Sequence, residues 1–210
     1  MEATSAADFL PPDLTLPGLR EAAADCRGCG LWRDATQTVF GEGTRHAALM
    51  FVGEVPGDRE DLAGKPFVGP AGKLFDGALE EVGIDRGEVY VTNVVKHFKF
   101  TPRGKRRIHK RPSAEEIIAC RPWLEAELDV VKPEVLVCLG ATAAQALLGR
   151  SFRVTRQRGE FVDSDLAPSV TATIHPSAIL RADDATRDEE MRLFVRDLRM
   201  VAMRLNGNQS

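Results

Sequence analysis

Four short apolar runs, each cut off by a residue suited to turning or binding, constrain this chain more than any other feature of its sequence. Residues 47–52 stop at Gly53, residues 88–92 at Asn93, residues 134–139 at Gly140 and residues 170–174 at His175. Runs of this length with abrupt ends read as β-strands. Between them lie helical stretches that begin near Pro70, at Ser113 and at Ala141, with a last one across residues 189–205. Ser113 and Glu116 form a capping-box pattern, and Pro122 is expected to break or kink that helix just after Cys120. Strands separated by helices predict an α/β fold: a three-layer αβα arrangement around a central, mainly parallel sheet of about four strands.

With 43% hydrophobic residues among 210, the chain has enough apolar material for one core. Residues 14–205 are expected to form a single domain, with flexible ends at 1–13 and 206–210. Lys and Arg number 28 against 31 Asp and Glu, a net charge of −3, which excludes a disordered polyelectrolyte and a uniformly basic histone-like binder. No apolar run approaches the roughly 18 residues of a membrane span. The first residues lack the basic and apolar regions of a secretory signal. A cytoplasmic monomer without a membrane partner is the expectation.

In a reducing compartment four cysteines point to metal or redox chemistry rather than to disulfide staples. Cys26 and Cys29 form C-R-G-C, where Gly28 and Gly30 let the backbone fold tightly around both thiols; Cys120 and Cys138 lie far downstream. One reading is a chance C-x2-C beside two core thiols. The other is a four-thiolate centre holding zinc or an iron–sulfur cluster. A zinc ribbon would present a second C-x2-C, so the spacing favours the cluster.

In open parallel sheets, ligands bind beyond the carboxyl ends of the strands. Here those ends carry Glu54 in the segment 53–58, then Asn93, then His175-Pro176-Ser177. A Glu, an Asn and a His remote in sequence would therefore meet in one cleft. Two loops add to it. Residues 64–73 (GKPFVGPAGK) look like a phosphate loop but have Phe67 where that motif needs Gly, and Leu74 where it needs Ser or Thr. Their glycines suit close approach to a ligand, with Phe67 either a stacking face or a core residue. Residues 96–112 read as a long functional loop, with Arg103, Lys105, Arg106, Arg107, Lys110 and Arg111 around His109, plus Phe98 and Phe100. Basic groups mixed with aromatics suit a phosphate backbone with exposed bases.

Taken together, Gly-Glu-Val-Pro-Gly with Glu54, the 64–73 loop, Thr92-Asn93, His175-Pro176-Ser177 and the four cysteines resemble the iron–sulfur (family 4) uracil-DNA glycosylases. The segment 105–109 (KRRIH) resembles one branch, the UdgX type, which forms a covalent adduct with uracil-containing DNA. Val55 departs from the Gln usual in that branch and from the Ala of ordinary family 4 enzymes.

The resemblance implies a uracil-DNA glycosylase fold and a set of roles. Phe67 would stack on uracil and Asn93 would bond its pairing edge, with Gly53 and Asp58 in the same pocket. His175 would donate to uracil O2, Glu54 would face the sugar or orient the nucleophile, and His109 would attack C1′. For that His109 must be neutral, helped by neighbouring Lys and Arg charges. Arg103, Lys105, Arg106, Arg107, Lys110 and Ser177 would hold phosphates, and Cys26, Cys29, Cys120 and Cys138 one [4Fe-4S] cluster. The implied partner is uracil-containing DNA, single-stranded by preference. Two alternatives stand beside covalent trapping: a conventional turnover family 4 glycosylase of base excision repair, and a non-catalytic metal-bearing binding module.

Overall fold

The computed structural model describes residues 5–207; the expectations for residues 1–4 and 208–210 lie outside them. The four apolar runs form β1 (Leu49–Gly53), β2 (Val89–Asn93), β5 (Val135–Leu139) and β7 (Ser169–Thr173), all buried along their length. They pair in parallel in the order β2-β1-β5-β7. The sheet has five strands rather than four. The fifth, β6 (Phe161–Val162), runs antiparallel on the β7 edge and at two residues is too short to show as a run.

Within each strand, alternate side chains enter opposite layers. Met50, Val52, Leu136 and Cys138 pack with α1 (Leu16–Ala24), α4 (Ala114–Val131) and α5 (Ala141–Leu148). Leu49, Phe51, Val135 and Val137 pack with α3 (Pro70–Glu81) and α8 (Asp184–Gly207). That is the expected three-layer αβα arrangement. Each fully buried large side chain, such as Trp123, Phe51 or Leu79, contributes about 1.5–3 kcal/mol over leaving it in water. No helix among the described residues is long and apolar enough to cross a membrane.

Three expectations are corrected. The N-terminus is packed from Ser5 onward: Ser5 caps a 3-10 turn, Ala6–Phe9, and Ala6 is fully buried against α4. Gly28 makes this possible, because a Cβ there would lie 2.5 Å from the Ala6 nitrogen. At the other end Asn206 and Gly207 belong to α8. Next, α4 continues unbroken through Pro122. The carbonyl that loses its partner there is that of Ile118, a residue 65% exposed, where water can replace the bond. Finally, the long basic loop contains a hairpin, β3 (Phe100–Arg103) and β4 (Arg106–His109), closed by a two-residue turn with Gly104 at φ +59°. Its charged residues and Pro102 gave no apolar alternation to announce it.

Register brings the strand ends level: Gly53 lies beside Asn93, Cys138 beside Val52, and Leu139 beside Thr173. After β1 the chain crosses to one side for β2 and returns to the other for β5, so a switch point opens at this edge.

Candidate active site

A cavity of about 210 Å³ sits at that edge, below the roughly 300–1,000 Å³ of pockets for drug-sized ligands and suited to a small ring. Phe67, Asn93, His109, His175 and Ser177 line it, as do Glu60 and Arg181, which the sequence reading passed over.

The end of β1 must be glycine for the pocket to exist. A Cβ on Gly53 would strike the Asn93 Oδ1 and lie 2.9 Å from the Phe67 ring, so the missing side chain clears space beside both. Phe67 is only 7% exposed, with its ring centroid 5.4 Å from that of Phe75 and 6.0 Å from that of His175, near-parallel to the latter. It is core and pocket wall at once. Its φ of +57° is strained for an aromatic residue, and such strain is held only where the surroundings over-determine it. Here Gly72 lies against the Phe67 carbonyl so closely that a Cβ would overlap it.

His175 precedes the short helix α7 (Pro176–Arg181) and caps it: its Nδ1 accepts the Ser177 backbone N–H at 3.1 Å and lies 2.8 Å from the Ser177 Oγ. A backbone N–H can only donate, so Nδ1 carries no proton and the neutral ring carries it on Nε2. Burial, with the positive charge of Arg181 and that of His109 once it is protonated, pushes the His175 pKa down to about 4. At neutral pH the site therefore holds an uncharged N–H donor. Ser177, expected on a phosphate, is occupied with orienting this ring.

Glu54 follows β1. Its Oε2 accepts the Thr142 hydroxyl at 2.7 Å from the first turn of α5, where the helix dipole favours a carboxylate. Its Oε1 is buried with no partner, an orphan acceptor that a ligand would satisfy. His109 ends β4 at the pocket mouth. Burial holds its pKa below the usual value; Glu54 and Glu60 oppose this, and Arg181 and Arg111 assist it. Desolvation is the largest cause of this lowering, ahead of the basic neighbours expected to act.

Arg107 and Asp58 do not line the pocket. Asp58 opens α2 (Asp58–Ala63), and Arg107 donates to it at 2.6 Å and to the fully buried Asp61 at 2.5 Å. The Arg107 guanidinium also lies 5.2 Å from the ring centroids of Phe98 and Phe100. It anchors the hairpin that presents His109, where a phosphate contact was expected of it. Arg103, Lys105, Arg106 and Lys110 are exposed on and beside that hairpin.

The four cysteines are free thiols. Cys26, Cys29 and Cys120 lie close enough to act on one another electrostatically. Cys138 on β5 belongs to the same core cluster as Cys26 and Cys120. Cys26 accepts the Trp123 indole N–H at 3.2 Å and Cys120 the Lys96 backbone N–H at 3.3 Å. Burial pushes Cys120 and Cys138 up to about 12, so these thiols would ionise only for a bound cation. Among the described residues no three His, Cys, Asp or Glu side chains close around one metal ion.

Arg181 was legible in retrospect: it stands four residues after Ser177 on α7, hence on the same helical face. Thr142 and Glu60 carried no such signal. The amide N–H of Gly69 donates to Glu60 at 2.7 Å, tying the Phe67 loop to α2.

Comparison with known proteins finds a family model, sequence relatives and a shared fold. The model of the uracil DNA glycosylase superfamily matches residues 40–199. A type-4 uracil-DNA glycosylase of Thermotoga maritima is 39% identical over 176 residues, 83% of this chain and 86% of that protein. One from Pyrobaculum aerophilum is 36% identical over 194 residues, 89% of this chain and 93% of that protein. The crystal structure of Pedobacter heparinus SMUG2 shares the fold, with a TM-score of 0.52 at 12% identity over 73% of this chain and 75% of that one. With the family model spanning most of the sheet and the strand-end pocket, the chain belongs to the uracil-DNA glycosylase superfamily.

Proposed function

We propose that this protein excises uracil from DNA by breaking the N-glycosidic bond, with single-stranded DNA the preferred substrate and the monomer the active form. The observation that carries this is the strand-end pocket, in which an aromatic face, a buried amide and an uncharged imidazole N–H surround space for a small ring. A base stacked in a duplex cannot reach such a pocket, so the nucleotide must be flipped, at least cost from a single strand. Phe67 stacks on the base. Asn93 offers both donor and acceptor to the uracil edge, where cytosine presents the opposite pattern. As the bond stretches, negative charge gathers on the base, and the Nε2–H of His175 stabilises it at O2. Glu54, with one oxygen held by Thr142 and the other unpartnered, serves the cationic sugar that remains. Arg103, Lys105, Arg106 and Lys110, with Arg181 at the rim, hold the phosphates.

The type-4 relatives favour a turnover enzyme, in which water completes the reaction. They lend no support to the covalent, UdgX-type ending. One observation does favour that second reading: His109 lines the pocket with its pKa held low by burial, which keeps an imidazole available to attack C1′. After attack the ring can lose its other proton, leaving an N-alkyl imidazole that departs poorly.

Cys26, Cys29, Cys120 and Cys138 would hold a [4Fe-4S] cluster. The fit rests on the donor set: soft thiols drawn from the N-terminal segment, α4 and β5, two of them already accepting N–H bonds. When bound, the cluster would supply thiolate cross-links that clamp the N-terminal segment to α4 and β5.

A labelled oligonucleotide with one uracil separates the outcomes. Alkali-labile abasic product at more than one equivalent per protein supports turnover, and a shift that survives a denaturing gel supports attack by His109. Intact, unshifted DNA under all conditions overturns the proposal.

A further inference from the structure

Lys96 is completely buried in the turn that follows β2, and its ammonium is fully engaged. It donates to the Thr92 hydroxyl at 2.6 Å, to the Asn93 carbonyl at 2.7 Å and to the carboxylate of Glu127, itself completely buried on α4. Glu127 is satisfied in turn by the Gly41 N–H at 3.1 Å, the Tyr90 hydroxyl at 2.9 Å and the Thr92 hydroxyl at 2.9 Å. A buried ion pair contributes little net stability over an apolar pair of the same volume, so its presence calls for another reason.

The turn itself supplies that reason. Val94 N–H donates to the Gly53 carbonyl at 2.9 Å and Val95 N–H to the Glu54 carbonyl at 3.1 Å. The backbone N–H of Lys96 donates to Cys120, which lies two turns before Glu127 on the same helix. Residues 93–96 thus hold Gly53 and Glu54 on one side and are gripped by α4 on the other, through backbone at one point and the ammonium at another.

We infer that the buried Lys96–Glu127 pair is a positioning device for base recognition: by fixing the Asn93 peptide and the turn tied to Gly53 and Glu54, it aims the Asn93 amide at the uracil edge. Lys96 touches no substrate; it acts through Asn93. The inference rests on the proposed uracil excision and deepens it. A directional bond that ends on the Asn93 carbonyl resists rotation of that peptide, whereas an apolar filler would leave it free to tilt. Misplacing a reacting or recognising group by about 1 Å costs on the order of a hundredfold.

The test replaces the pair with neutral groups of similar volume, Lys96→Met with Glu127→Gln, so that the Gln oxygen still accepts from Gly41 and Tyr90. Free uracil is used as an inhibitor of binding, and an oligonucleotide lacking uracil reports phosphate grip alone. We expect inhibition by free uracil to weaken about tenfold or more, and uracil release to slow in parallel, with affinity for the uracil-free oligonucleotide unchanged. Val201→Ala, a core change on the opposite face, should lower the Tm without moving the uracil-to-DNA ratio. Should the double variant fail to fold, Thr92→Val removes one of the three Lys96 acceptors and is expected to weaken uracil inhibition in the same direction. A folded double variant, or a folded Thr92→Val, with unchanged uracil inhibition overturns the inference. If the parent protein releases no uracil but its binding of free uracil is abolished by the double variant, excision is wrong and the positioning role stands.

Discussion

In the proposed excision, replacing His175 by alanine removes one donor from the place where charge gathers on the departing base. The parent ring is neutral at physiological pH, and Ser177 fixes its proton on Nε2. Toward the ground-state carbonyl, a neutral hydrogen bond contributes about 1 kcal/mol, roughly fivefold in affinity. Toward an anionic base, loss of one preorganised donor amounts to about 2.7–4 kcal/mol, or roughly 10²–10³ in rate. Single-turnover uracil release should therefore slow by about two to three orders of magnitude, while affinity for the uracil oligonucleotide weakens by less than about tenfold. The variant also leaves the Ser177 N–H without its acceptor, for a stability loss of about 1 kcal/mol that a Tm measurement isolates. In the parent, the rate should hold as pH falls until the imidazole titrates near about 4, since protonating Nδ1 breaks the Ser177 bond. Rapid-quench release of labelled base, beside filter binding at the same pH, measures both quantities. Equal losses in rate and affinity, or a rate loss under about fivefold, would refute the role assigned to His175.

Stability should fall as pH drops from about 6.5 toward 4, because burial pushes both His97 and His175 down to about 4 and the unfolded chain binds the protons first. Denaturant midpoints should flatten across that range in His97→Asn, and an unchanged slope would contradict the burial argument. Gly53→Ala should abolish uracil release with the fold intact by circular dichroism, because the new methyl collides with the Asn93 oxygen and the Phe67 ring. Arg107→Met should destabilise the protein by about 2 kcal/mol, less than for a fully buried pair because Arg107 is 22% exposed, and should raise hydrogen exchange in β3 and β4 before the rest of the fold. Cys120→Ala should lower iron content and visible absorbance after anaerobic preparation; a colourless parent protein, or one with zinc alone, would sink the cluster proposal.

Sequence alone determined the four central strands, their αβα setting and the sheet edge after which Glu54, Asn93 and His175 stand. Each of those signals is local: a continuous apolar run needs burial on both faces, and parallel strands must end at a common edge. The hairpin carrying His109 was invisible because its strands are exposed and charged, so no hydrophobic period marks them. The packed N-terminus escaped notice because it depends on one small residue, Ala6, meeting Gly28 across the chain. Tertiary structure decided which charged groups stay exposed and which hold the frame. Arg107 and Lys96 are indistinguishable from phosphate-binding residues until Asp58, Asp61 and Glu127 are seen beside them. It also decided the protonation of His175, since composition states how many charges a chain has and only burial states which groups keep them.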